Sequence, residues 1–215
     1  MSLARIIFIL IGVLIAAFGV WRYLPKTLLY IKPGAIRGTF YEGSSLDHAM
    51  AEKARETVDA LTLLGFVPAG IQLEKPPLWS RALKVLILTS GSGPELACVI
   101  PAKRGVTWYF ETLFEDGAMV ITAGSGFKPV NQGGLYQSVP EGLDAAGLLD
   151  RHRDNVAHFV GEGHTPVKRY PVDVIAGSTQ VYYGFPVVRH GMRTYGSMNA
   201  IPLAMFFIPL VIAIL

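Results

Sequence analysis

Apolar and polar positions divide the chain into three regimes. At one end, residues 6–21 read "IIFILIGVLIAAFGVW", and at the other, residues 200–215 read "AIPLAMFFIPLVIAIL". Neither stretch carries a charge or a polar face. Between them the pattern becomes periodic. In "SSLDHAMAEKARETVDALTLLGF" (44–66), Leu46, Met50, Ala54, Val58 and Leu61 recur every three or four residues, which predicts an amphipathic helix. Ser44 and Asp47 have capping-box-like spacing and Gly65 stands at the expected end. A strand series follows. "KVLILTS" and "ELACVIP" flank "GSGP", and "VTWYFETLF" and "AMVITAG" flank "EDG", so both pairs read as hairpins of one antiparallel meander. In the third strand Trp108, Phe110, Thr112 and Phe114 share one face, with Tyr109 and Glu111 on the other. A second helix is predicted in "EGLDAAGLLDRHRDNVAHFVGEG" (141–163), with Leu149, Val156 and Phe159 inward and Gly161 at its end. In 165–197, "VDVIAG" and "QVYYGFPVV" read as strands or irregular segments.

The architecture this predicts is an α+β membrane-anchored protein. N-terminal and C-terminal transmembrane helices flank one small domain, in which an antiparallel β-meander carries two helices on one sheet face. The expected boundaries are an anchor with its interfacial segment at 1–30, a Gly/Pro-punctuated linker at 31–43, the domain at 44–197 and a membrane helix at 198–215. Sixteen uncharged residues rise about 24 Å, short of a hydrocarbon core of about 30 Å. The flanks extend the first span: Arg5 snorkels at one end, and Trp21, Arg22, Tyr23, Lys26 and Tyr30 suit the interface at the other. The bulky, basic "FGVWRYLPK" does not suit signal-peptide cleavage, so an uncleaved anchor is expected. Gly12 and Gly19 permit close helix contact, although their spacing is not GxxxG. In the terminal run Pro202 falls in a first helical turn. Pro209 falls mid-run and should kink the helix, depriving the carbonyl near Met205 of its partner. That carbonyl calls for a neighbour, either the first helix or a partner subunit.

Composition sharpens this picture. Only 16% of residues are charged, against about 25% in an average soluble chain, and the depletion lies at the ends. The net charge is +3, but no Lys/Arg run supports nucleic-acid binding. Arg22, Lys26, Lys32, Arg37, Arg189 and Arg193 fall on the domain side of the apolar runs, against Arg5 on the other. That asymmetry predicts a cytoplasmic domain with both termini across the membrane, as in a bacterial inner membrane. The single cysteine, Cys98, excludes an internal disulfide and reads as a small buried hydrophobe.

Candidate chemistry is sparse. "SGSGPE" (90–95) lacks the Lys-Ser/Thr of a phosphate loop, and "AGSGF" (123–127) lacks both flanking glycines of a nucleophile elbow around Ser125. His152 and His158 lie six apart, off a common helix face, Asp154 and His158 are placed to pair, and Glu162 and His164 follow in a turn. No histidine spacing marks a metal site, and the histidines read as solvated or capping. Glu111, Glu115 and Asp116 read as acids of the second hairpin. No catalytic, cofactor-binding or metal residues are therefore assigned, and no stretch resembles a family whose functional residues carry over. The expectation is a non-catalytic accessory or structural subunit of a larger integral membrane complex, respiratory or photosynthetic in type. Its domain would mediate protein–protein contacts, its partners being the bilayer and other membrane subunits. The alternative is a membrane-tethered enzyme or ligand-binding domain for an apolar or lipid-like substrate. The aromatic density of "VTWYFETLF" and "QVYYGFPVV" motivates it, and a pocket joining groups such as Glu111 and His158 would favour it.

Overall fold

A computed structural model describes residues 2–78, 81–91, 93–102 and 105–214. Ser92 of the expected "GSGP" turn, Met1 and Leu215 lie outside the described residues. In chain order the elements are α1 (Leu3–Ile31), β1 (Arg37–Glu42), α2 (His48–Leu63), β2 (Phe66–Lys75), β3 (Leu83–Ser90), β4 (Leu96–Ala102), β5 (Gly105–Leu113), β6 (Met119–Ala123), β7 (Val130–Gln132), β8 (Leu135–Ser138), α3 (Ala145–Gly161), α4 (Val172–Gly184), α5 (Pro186–Met205) and α6 (Ile208–Ile214). They fall into two compact units, one purely helical and one built on a sheet.

The helical unit holds α1, α5 and α6. Leu3–Ile31 and Pro186–Ile212 are each long and apolar enough to cross a membrane. At 29 residues, α1 is about 43 Å long, so the shortfall inferred from its uncharged core disappears once Arg22 to Ile31 continue the helix. The second helical stretch opens at Pro186, a proline position compatible with a first turn, rather than at Met198. The two stretches pack antiparallel, and small residues set their separation. A Cβ on Gly196 would lie 2.3 Å from the Tyr30 nitrogen, one on Gly19 would meet Phe206, and one on Gly12 would lie 2.9 Å from the Leu210 Cα. Ala16 is buried on the same face, so Gly12 and Ala16 form the small-x₃-small step that Gly12 and Gly19 alone do not. The helix is interrupted at 206–207, immediately before Ile208 and Pro209. The Phe207 nitrogen turns back to the Ala204 carbonyl at 3.0 Å, and the Phe206 ring packs between Phe18 and Tyr23 at 5.7 and 5.6 Å. The interruption thus precedes Pro209, which has no N–H to offer the preceding turn, and α1 packs beside it. Arg5 donates to the Ile214 carbonyl at 2.6 Å.

The other unit is an eight-stranded sheet in the order β1-β2-β3-β4-β5-β6-β8-β7. All neighbours are antiparallel except β6 and β8. The four meander strands are β3 to β6. Strands β1 and β2 pair ahead of them, β1 inside the stretch read as a linker. Helices α2 and α3 cover one face over a core of Leu61, Phe66, Leu88, Phe110 and Leu148. Asp47 caps α2 by accepting from the Met50 nitrogen at 3.1 Å, and Asp144 caps α3 through Gly147 at 2.8 Å.

One expectation changes here. The "VDVIAG" and "QVYY" stretches are helical, forming α4, so their β-branched and aromatic residues yield to packing on the sheet. The sheet is also covered on its second face: α2 and α3 share one face, and α4 lies on the opposite side. The strands show why: Val85 to Leu88 and Met119 to Ala123 are consecutive buried residues, as in strands covered on both faces. Gly38 of β1 admits α4 closely, since a Cβ there would lie 2.5 Å from the Ala176 carbonyl and the Thr179 hydroxyl.

Candidate functional site

Alternation along β5 aims Phe110 and Thr112 at α3 and leaves Tyr109 and Glu111 facing α4. On β2 the same alternation presents Gln72 and Glu74 to α4, while Ile71 joins the opposite core. Helix α4 meets these groups with few large apolar side chains. Its inward residues are Ile175, then Ser178 and Thr179, with Tyr182 and Tyr183 half-buried behind them. A cavity of about 130 Å³ lies between helix and sheet, lined by these hydroxyls, both glutamates, Gln72, Tyr109 and Phe127.

The polar groups form a partial network. Tyr183 donates to Glu74 Oε2 at 3.0 Å and Thr179 to Glu74 Oε1 at 3.4 Å. Gln72 Nε2 donates to Thr179 and, at 3.5 Å, to Ser178. Glu111 is 5% exposed, and its Oε1 has no hydrogen-bond partner among the described residues. Burial, with the charge of Glu74 second, pushes Glu111 from 4.5 up to about 7, against the pull of the Ser178 hydroxyl. Burial also raises Glu74, opposed by the Tyr183 and Thr179 hydrogen bonds. The phenols respond alike: burial, then Glu74, raises Tyr182 to about 12 and Tyr183 further. No lysine, arginine or histidine lines the cavity among the described residues.

The residues singled out from the sequence are placed as follows. Glu111 is a cavity acid rather than a turn acid, while Glu115 and Asp116 sit exposed in the β5–β6 turn, where Asp116 accepts from the Ala118 nitrogen at 3.0 Å. His158 does not join Glu111. It is exposed and pairs with Glu162 at 3.4 Å, not with Asp154. His152 is neither solvated nor capping, being wholly buried on the α3 side. Its ring nitrogens meet Thr112 at 2.9 Å and Thr122 at 3.0 Å, and Asn155 extends the network to Thr122 and Ser138. Burial, aided by Arg153, pushes His152 down to about 3, so the imidazole is neutral. Ser125 is exposed after β6, and with His152 committed to two threonines no Ser–His pair forms there. The glycine-rich turn walls an open cleft of about 690 Å³ that contains Lys168 and Arg169, but also the buried Glu95, which Arg153 meets at 3.1 Å. That carboxylate argues against a phosphate cradle. Cys98 is buried, and burial raises its thiol well above the usual range. Of the residues expected at a membrane interface, Trp21, Arg22 and Tyr30 are exposed on α1, and Arg22 and Lys26 approach the Tyr23 ring at 5.9 and 6.0 Å. No group of three or more His, Cys, Asp or Glu suited to a metal occurs among the described residues.

Sequence reasoning missed Glu74 because β2 was not expected. The signal was present in "GIQLEK", where Ile71 and Leu73 alternate with Gln72 and Glu74. Comparison of the chain with protein-family models, with curated proteins and with solved structures finds no match.

Proposed function

We propose that this protein is a membrane-anchored, non-catalytic binding protein. In this reading α1 and α5–α6 insert as an antiparallel pair, and the sheet unit offers its α4 pocket to a small polar ligand on the cytoplasmic side. The observation that carries it is Glu111: a carboxyl buried beside a second acid, with one oxygen unpartnered in a cavity. Such an arrangement costs stability and is kept where it serves a site. The insertion is supported by the outward surface of the helical unit, where Phe8, Leu14, Ile201 and Ile212 are each 66–69% exposed while glycines occupy the seam. Orientation is supported by Arg189 and Arg193, which extend past the Gly196–Tyr30 contact at the same end as Lys26 and Lys32.

The glycines and Pro209 find a neighbour within this chain, so they do not by themselves call for the partner helices of an accessory subunit. A lipid-like ligand is disfavoured by size, since 130 Å³ is well under the roughly 300–1,000 Å³ of drug-sized pockets.

Two measurements test the proposal. Gln132→Cys in a Cys98→Ala background should resist an impermeant maleimide in intact cells and react after permeabilisation, with the protein retained in carbonate-washed membranes. Labelling in intact cells refutes the orientation. A panel of small polar compounds, neutral, anionic and cationic, should contain at least one that raises the melting temperature of the wild type but not of Glu111→Gln. If none does, the pocket is not a binding site.

A further inference from the structure

The geometry points to a small organic ammonium ion, primary or methylated, as the ligand of the α4 pocket, held between Glu74 and Glu111 against the surrounding rings. This rests on the binding reading above and names its ligand class. Charge is the first argument. Two carboxylates face the cavity and no cationic side chain among the described residues answers them, so an entering cation neutralises what the fold leaves unbalanced. Spacing is the second. Glu74 stands on β2 and Glu111 on β5, with β3 and β4 between them, so the two acids reach the one cavity from different strands. The third is the lining. Tyr109 and Phe127 meet edge to face at 5.0 Å, and Tyr182 and Tyr183 at 5.1 Å, offering π-faces and phenol edges of the kind that attract alkylammonium groups. Size agrees: a cavity of about 130 Å³, well below drug-sized pockets, suits a cation of a few heavy atoms.

A bare hard metal ion fits less well. It seeks six or more oxygens, whereas the carboxylates here are two and the Gln72 amide nitrogen already occupies the Ser178 and Thr179 hydroxyls. An ammonium N–H needs only an acceptor, and Glu111 Oε1 is one without a partner. Binding then favours ionised Glu111, so a proton leaves Glu111 for solvent as the cation enters. Among the described residues, the titratable groups facing Glu111 are Glu74 from β2, Cys98 from β4, Tyr109 from β5, Tyr170 ahead of α4, and Tyr182 and Tyr183 from α4. All are neutral or anionic, and none supplies a competing positive charge.

The test is isothermal titration calorimetry of the full chain in detergent micelles with methylammonium and tetramethylammonium chloride. Sodium, potassium and calcium chloride and the neutral isostere tert-butanol serve as comparisons. At least one ammonium probe should saturate, with affinity about tenfold tighter at pH 8 than at pH 6, because the displaced proton titrates near 7. The heat should vary with the ionisation enthalpy of the buffer, reporting proton release, and Glu74→Gln and Glu111→Gln should each weaken binding by about tenfold or more. If near-UV circular dichroism shows either variant misfolded, the pH dependence and proton release of the wild type decide. Unaltered affinity in well-folded variants, or ammonium binding with no proton released, overturns the inference. Glu111-dependent binding of tert-butanol or a metal ion, without ammonium, overturns the ligand class and leaves the pocket standing. No binding by any probe removes both.

Discussion

Replacing Glu111 by glutamine isolates the cost of the buried acid. In the folded protein Glu111 titrates near 7, against 4.5 for an ordinary glutamate. Its folded-state value is raised, so the native state holds the proton more tightly than the unfolded chain. Stability from this group is therefore intact below about pH 4.5 and falls as pH rises to about 7, beyond which the loss is complete. At about 1.4 kcal/mol per pH unit, the full loss is about 3 kcal/mol. The group is fully buried, so solvent screening takes little from that figure. Glutamine keeps the shape without a charge to desolvate. At pH 8 Glu111→Gln should therefore be more stable than the wild type by about 3 kcal/mol, or roughly 6–12 °C in melting temperature for a domain of this size. At pH 4.5 the two should agree within about 1 kcal/mol. Other groups titrate in the same window: His152, depressed to about 3, adds stability as pH rises from 3 to 6.5. Comparing the variant with the wild type at each pH cancels such terms. Thermal unfolding in detergent micelles, followed by near-UV circular dichroism, provides the assay. A variant no more stable than the wild type at pH 8 would refute the reasoning, because Glu111 would then be hydrated or charge-compensated in the native state.

Two further outcomes follow from the cores of the two units. His152→Ala removes a fully buried imidazole that bridges Thr112 and Thr122, leaving a cavity and two hydroxyls short of a partner. It should cost about 3–5 kcal/mol by thermal unfolding at pH 7.5, and a loss under 1 kcal/mol would show the network to be dispensable. In the helical unit, Gly196→Leu drives a side chain into the Tyr30 backbone, 2.3 Å from where its Cβ must sit. It should expose the α5–α6 segment to limited proteolysis in detergent micelles under conditions where the wild type resists. Resistance that survives Gly196→Leu would mean the pair is not held by that seam.

What was legible in the sequence follows from how each element is specified. Helices α2 and α3 carry their own periodicity and aspartate caps, and strands β3 to β6 are continuous apolar runs joined by Gly, Pro and Asp turns, so local signals suffice. Strand β1 is short and glycine-containing, and β7 and β8 are three and four residues long; pairing with neighbours, not propensity, makes them strands. Helix α4 is the instructive case. "VDVIAGSTQVYYG" is rich in residues that favour strands, yet it is helical because the sheet beneath needs a lid, and its inward face is built from hydroxyls. Those same hydroxyls are what the sequence left unexplained. In a helix packed on a sheet, Ser178, Thr179, Tyr182 and Tyr183 have no reason to face inward unless polar groups await them, and Gln72, Glu74 and Glu111 do. The pairing is invisible along the chain because Glu74 and Tyr183 are brought together across the sheet from distant positions. The two sets also need not exist for each other's sake, since apolar residues at all these positions would pack the same helix more cheaply. What they leave between them is a space with acceptors and, among the described residues, no donor of positive charge. That is the physical ground for reading the α4 seam as a site and not as core.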